Sequence, residues 1–139
     1  MKHLLTHEAV PVLVLAGNAE LIFENTVTDK NRKYRIKHSA LGINDNLSVF
    51  IDTLHAGYLG SIRNPSNNPV FKFPYQFEDE EQRRESIAFD YLFRHLFAGT
   101  LHSAIQIFHT GRCCACYRKL TDPVSIAAGI GPECRKNMG

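Results

Sequence analysis

The sequence predicts an α+β fold: a small antiparallel β-sheet packed by one long helix and followed by a C-terminal zinc knuckle. Three observations predict it. Short apolar or alternating segments broken by turn residues fill positions 10–73, an apolar period of four free of Pro and Gly runs over 79–98, and all four cysteines fall between Cys113 and Cys134. The expected organisation is an α+β domain over residues 1–108 and a metal-binding tail over 109–139.

Taken in order, Val12-Leu13-Val14-Leu15 reads as a first strand, ending at the turn pair Gly17-Asn18. Leu21-Ile22-Phe23 is a second, and Asp29-Lys30-Asn31 turns the chain. Arg32 to His38 alternates basic residues with Tyr34 and Ile36, the period of two expected of a strand with one wet face. Leu47 to Thr53 and Gly57 to Arg63 follow, joined around His55-Ala56-Gly57. The stretch Asn64-Pro65-Ser66-Asn67-Asn68-Pro69 is a loop by composition, and Val70 to Phe73 closes the sheet.

The period then changes. Phe89, Phe93 and Phe97 recur every four residues, as do Ala88, Leu92 and Leu96, giving one broad apolar face. Glu80, Glu81 and Glu85 lie in the first turns, where the helix dipole favours carboxylates, and Gly99 is a natural stop. The phenylalanine stripe is expected to be core. Ala104 to Phe108 forms a further short strand leading into the cysteines.

Charge is uneven. The net value is +2, but residues 1–76 carry +2, 77–109 carry −3 and 110–139 carry +3. The total does not indicate a polyanionic partner; the local values permit one. The apolar run Val10 to Ala16 is too short to span a bilayer and lacks the flanks of a secretory signal, so no membrane association is expected and the expected location is the cytoplasm.

In a reducing compartment, clustered cysteines are metal ligands before they are disulfides. Cys113 and Cys116 form a C-x-x-C pair whose two intervening residues let both sulfurs converge on one ion. Cys134 follows after 17 intervening residues, room for a hairpin or short helix to swing back. Three thiolates point to one structural Zn2+, with His109 at the end of its strand as the fourth ligand. Cys114 cannot easily face the same way as its neighbour and is a bystander. The apolar residues beyond Gly111 are few and small, so metal binding is expected to supply the folding free energy of the tail.

The run Cys113-x-x-Cys116-x-Arg118-Lys119-Leu120-Thr121-x-Pro123-x-Ser125, then Gly129-Ile130-Gly131-Pro132-Glu133-Cys134, resembles a presumed zinc-finger family of bacteriophages and their hosts, a domain of unknown function. Its members read H-x-G-x-C-x-x-C-G-R-x-L-T-x-P-x-S and G-x-G-P-x-C, onto which His109, Gly111 and the three cysteines map. The resemblance is strong over about residues 107–134 and weaker upstream, at Tyr58-Leu59-Gly60. It implies a phage or mobile-element origin, hence a host-cytoplasm setting, and no particular activity. One departure stands out: the family has Gly after the second cysteine, where the turn wants φ > 0, and this chain has Tyr117.

Binding ranks ahead of catalysis. Nucleic acid is the first expected partner, carried by Lys33, Arg35 and Lys37 on one strand face and by Arg112, Arg118, Lys119, Arg135 and Lys136 around the knuckle. Tyr34 falls on the opposite face of that strand and weakens a stacking role there. The second reading is a module that captures or inhibits a host defence or transcription factor, a homo-oligomer by habit of such proteins, motivated by the acidic run Glu78-Asp79-Glu80-Glu81. A hydrolytic enzyme ranks third: the seven histidines form no H-E-x-x-H, and no nucleophile elbow or phosphate loop is present. Asp52 with His55 is the one weak acid/base pairing.

Overall fold

The computed structural model describes residues 1–39, 46–52 and 57–138. Seven strands form one sheet: β1 His3–Leu5, β2 Asn18–Asn25, β3 Lys30–His38, β4 Leu47–Ile51, β5 Tyr58–Arg63, β6 Val70–Lys72 and β7 Ile105–His109. The spatial order is β1-β7-β2-β3-β4-β5-β6, and all of these pairings are antiparallel. Four helices accompany them: α1 Val10–Val14, α2 Glu80–Ala98, α3 Pro123–Ala128 and α4 Pro132–Met138. The α+β class is as the sequence predicts. Among the described residues no helix is long and apolar enough to cross a membrane.

The long helix forms where its periodicity and caps place it. Asp79 accepts the Gln82 amide at 2.8 Å as N-cap, and Gly99 ends the helix at φ 73°. Phe89, Leu92, Phe93 and Leu96 are buried, and Phe97 packs against them partly covered. Tyr34 lies fully buried under this helix, its ring 4.9 Å from that of Phe89 in an edge-on contact. Towards its N-terminus α2 is polar where it meets β5: Gln82 Nε2 donates to the Tyr58 carbonyl at 3.0 Å and Ser86 Oγ to that of Leu59 at 2.8 Å. Those carbonyls flank the register shift between β4 and β5, so helix side chains satisfy groups that an irregular ladder leaves over.

The expected strand at Val12-Leu13-Val14-Leu15 is a helix instead. Pro11 stands in its first turn, where proline's fixed φ suits a helix, and Val10, Leu13 and Val14 are buried while Val12 is exposed. That i, i+3, i+4 pattern packs one face on the core, which a four-residue apolar run cannot reveal by itself. The segment predicted as Leu47 to Thr53 contains β4, whereas Thr53 and His55, with the connection and the Asp52 pairing proposed there, lie outside the described residues.

Gly60 sits at φ 143° where β5 meets β6. An added Cβ there would lie 2.3 Å from the Lys72 carbonyl oxygen and 2.8 Å from Phe71 Cζ. Gly60→Ala is therefore expected to cost about 2 kcal/mol or more, read as a lower urea midpoint at unchanged m.

The tail is joined to the domain rather than appended. A boundary between 108 and 109 falls inside β7, which lies between β1 and β2. Cys113, Cys114, Leu120 and Ile130 are buried in the same apolar cluster as Leu21, Ile36 and Phe89. The tail's few apolar residues need no core of their own because they borrow this one.

Alternating burial puts Leu21, Tyr34 and Val49 on the covered face of the sheet and Glu20, Arg35 and Phe50 on the other, partly exposed face. Register sets a row across it: Glu20 faces Arg35, Arg35 faces Phe50 and Phe50 faces Tyr58, spanning β2 to β5.

Candidate metal centre and the basic face beside it

A tight hairpin builds the first half of the cysteine site. Arg112 bridges to Lys119, the Cys113 amide donates to the Arg118 carbonyl at 2.8 Å, and the Tyr117 amide donates to the Cys113 carbonyl at 2.8 Å. This closes the C-x-x-C turn with Tyr117 at φ 67°. The left-handed position that favours Gly is thus occupied by a tyrosine, at a backbone cost of about 1 kcal/mol. The second half comes from α3 and α4. Asp122 caps α3 by accepting the Ser125 amide at 3.0 Å, Gly129 ends it at φ 76°, and α4 then presents Cys134.

The sulfurs of Cys113, Cys116 and Cys134 lie within 4.8 Å of one another. Around a tetrahedral ion with bonds of about 2.3 Å, sulfurs stand roughly 3.8 Å apart, so small side-chain adjustments close the set on a metal. All four cysteines are free thiols. Burial is the largest influence on Cys113 and raises its pKa. The Gly131, Cys116 and Ala115 amides and the Cys116 thiol together outweigh it, leaving Cys113 at about 7, ready to bind as thiolate. Burial first, and the neighbouring Cys116 and Cys113, push Cys134 up to about 12, so a metal must displace its proton.

Cys114 points elsewhere. It is fully buried, its carbonyl accepts the Asn18 amide at 2.7 Å, and burial and the adjacent Cys113 push its thiol up to about 12. It behaves as a small apolar filler.

His109, the fourth ligand the sequence suggests, is not in the group of three cysteines whose sulfurs lie within 4.8 Å of one another. Its ring is fully buried, Nδ1 accepts the Gly111 amide at 3.0 Å, and Nε2 donates to the Ile126 carbonyl at 2.5 Å. Both nitrogens are engaged, and the tautomer follows from the partners: neutral, with the proton on Nε2. His109 ties β7 to α3, and His3 stacks on it at 4.9 Å between ring centres.

Burial chiefly, opposed by the Ile126 carbonyl and aided by His3, holds the His109 pKa below its usual 6.5. The unfolded chain then takes up a proton before the folded one does. Above about pH 6.5 the group is neutral in both states, and as pH falls through that value towards the lower folded pKa, stability is lost. In His109→Gln, urea stability is expected to decline less between about pH 7 and about pH 5 than in the parent, because the titrating group has gone.

Residues 107–139 match a family described only as a family of unknown function, DUF6011. The match covers the end of β7, the hairpin, α3 and α4, and leaves the rest of the sheet and α2 outside it. No curated protein matches the chain. No solved structure does either.

The basic residues divide. Arg35 and Arg112 converge on Tyr117: their guanidinium carbons lie 3.8 Å and 5.2 Å from its ring centre. Tyr117 is fixed on the partly exposed face by its hydroxyl, which donates to Glu20 at 3.1 Å, and Glu20 also accepts from the Thr110 hydroxyl at 2.6 Å. Lys37 lies 5.2 Å from the ring centre of Phe50, which in turn meets Tyr58 edge-on at 5.7 Å. Lys33 is shared between Glu20 at 3.9 Å and Asp52 at 3.5 Å. Arg118 and Lys119 line a cavity of about 250 Å³ together with the three cysteines. Arg135 lies on α4 near enough to Asp122 to help hold its carboxyl down, after the Ser125 donors. Lys136 follows Arg135 in the last turn of α4. The sequence reading did not place Phe50, Tyr58 and Tyr117 beside the basic strand. The alternation of Leu47 to Ile51 marks Phe50 as outward-facing, but nothing local says it stands beside Arg35.

Proposed function

We propose that this protein binds single-stranded nucleic acid across the partly exposed face of its sheet, that a zinc ion on Cys113, Cys116 and Cys134 holds the hairpin that completes this face, and that it acts by binding rather than catalysis. The observation that carries the reading is the cross-strand row Arg35, Phe50 and Tyr58, extended at one end by Tyr117 and Arg112 and flanked by Lys33 and Lys37. Aromatic faces stack on bases of any sequence, and cations beside them meet the phosphates; guanidinium groups do both. Three thiolates and a compact site favour zinc over hard cations, which prefer oxygen. The setting implied by the sequence resemblance, a phage-type accessory protein in a host cytoplasm, belongs to the same proposal.

Part of the acidic run that motivates a protein partner also serves the helix. Asp79 is the N-cap and Glu80 pairs with Arg83 at 3.0 Å, so the run has a structural use that needs no partner.

Fluorescence anisotropy with a labelled single-stranded oligonucleotide tests the proposal. With about four phosphate contacts, from Lys33, Arg35, Lys37 and Arg112, the slope of log K against log salt is about −3, a loss of roughly 50-fold between about 50 and about 200 mM. A flat salt response would overturn it.

A further inference from the structure

The geometry points to a metal centre whose fourth ligand comes from outside the chain: a single neutral donor, water in the isolated protein, seated beside the Ser125 hydroxyl and exchangeable for an imidazole nitrogen. This inference rests on the metal reading above and goes beyond it.

Tetrahedral zinc takes four donors, and structural sites take all four from protein. Here three sulfurs converge, and no fourth His, Cys, Asp or Glu among the described residues brings a donor atom within 4.8 Å of all three. His109, the fourth donor the sequence suggests, is held at both nitrogens by backbone groups. The site is also accessible. Cys116 is exposed, and the three cysteines line the cavity of about 250 Å³ with Asp122, Ser125 and Glu133, space for a small ligand.

Ser125 supplies the independent observation. It is 1% exposed, it lines that cavity, and its hydroxyl makes no hydrogen bond of normal geometry. The Asp122 carboxyl feels this hydroxyl, though less than it feels the Ser125 amide, and the oxygen retains lone pairs. Buried hydroxyls without partners are uncommon because they carry their full desolvation penalty. A water on the metal would both complete the coordination and give this hydroxyl its partner.

The donor class follows from charge. Three thiolates on a divalent ion already leave the centre at −1. A fourth anion would add repulsion that Arg118 and Lys119 at the cavity wall meet only partly, since Asp122 and Glu133 share that wall. A neutral nitrogen or oxygen avoids this, and imidazole is the softer of the two.

The test uses the full chain loaded with Co2+ in place of zinc, its visible d–d bands followed as imidazole is added. Uptake of one cobalt per chain with bands that shift saturably on imidazole addition supports the inference. One cobalt per chain with bands that imidazole does not move overturns it, because a chain donor then completes the site. No cobalt uptake sinks the metal reading itself and is thereby distinguishable. His109→Gln is expected to leave the cobalt spectrum unchanged; a changed spectrum makes His109 a ligand and overturns the inference. Ser125→Ala keeps the helix, and the competing water loses one hydrogen bond, so imidazole is expected to bind about fivefold tighter. Unchanged imidazole affinity in that variant overturns the placement of the donor beside Ser125.

Discussion

On the proposed metal reading, chelation, or replacing Cys113 by Ser, is expected to lower the melting temperature by about 15 °C or more and to take the metal content from one per chain to none. The size of the effect follows from where Cys113 sits. It is 1% exposed and shares one core with Leu120, Ile130 and the sheet, and its sulfur accepts the Ala115 and Gly131 amides, each at 3.4 Å, linking the hairpin to the approach of α4. Losing the ion leaves neighbouring thiolates to repel one another or to protonate. The damage therefore enters the main core instead of fraying one end. Elemental analysis and a thermal melt with and without chelator check it. An unchanged melt with metal-free protein would mean that the hairpin and α3 hold by packing alone.

Tyr117→Gly is expected to weaken single-stranded nucleic acid binding by about tenfold while changing folding stability by no more than about 1 kcal/mol. Two opposing terms produce the small stability change. Glycine relieves the φ of 67°, worth about 1 kcal/mol, and loses the Arg35 cation–π contact and the hydroxyl bond to Glu20, worth about as much together. Binding has no such offset, because the ring is the joint at which Arg112 of the hairpin meets Arg35 of β3. Anisotropy and urea denaturation on the same preparation separate the two. Binding that survives in Tyr117→Gly would place the nucleic acid elsewhere, and equal losses in stability and binding would make the ring a structural prop.

The helix at 80–98 and the C-x-x-C turn were legible because what defines them lies within a few residues: the apolar period, Asp79 and Gly99 at the ends, two sulfurs three positions apart. The alternation at 32–38 likewise assigned Lys33, Arg35 and Lys37 to one face and Tyr34 to the other. Other elements were hidden for a reason equally physical. The strand β1 is three residues long and gains its identity only from pairing with β7 more than a hundred positions later. The helix α1 is distinguished from a strand by which of its valines meets the core, and the core is assembled from elsewhere.

Local order along the chain thus determined the α+β class, the long helix, the cysteine cluster and the sidedness of the basic strand, since each depends on interactions within one or two turns or one alternation. Tertiary structure alone decided that His109 serves α3 and that Glu20, Arg35, Phe50 and Tyr58 form one row with Tyr117 beside it. Strand register and helix docking match residues far apart in sequence, and a carbonyl or a ring brought in from a distance decides what a side chain does.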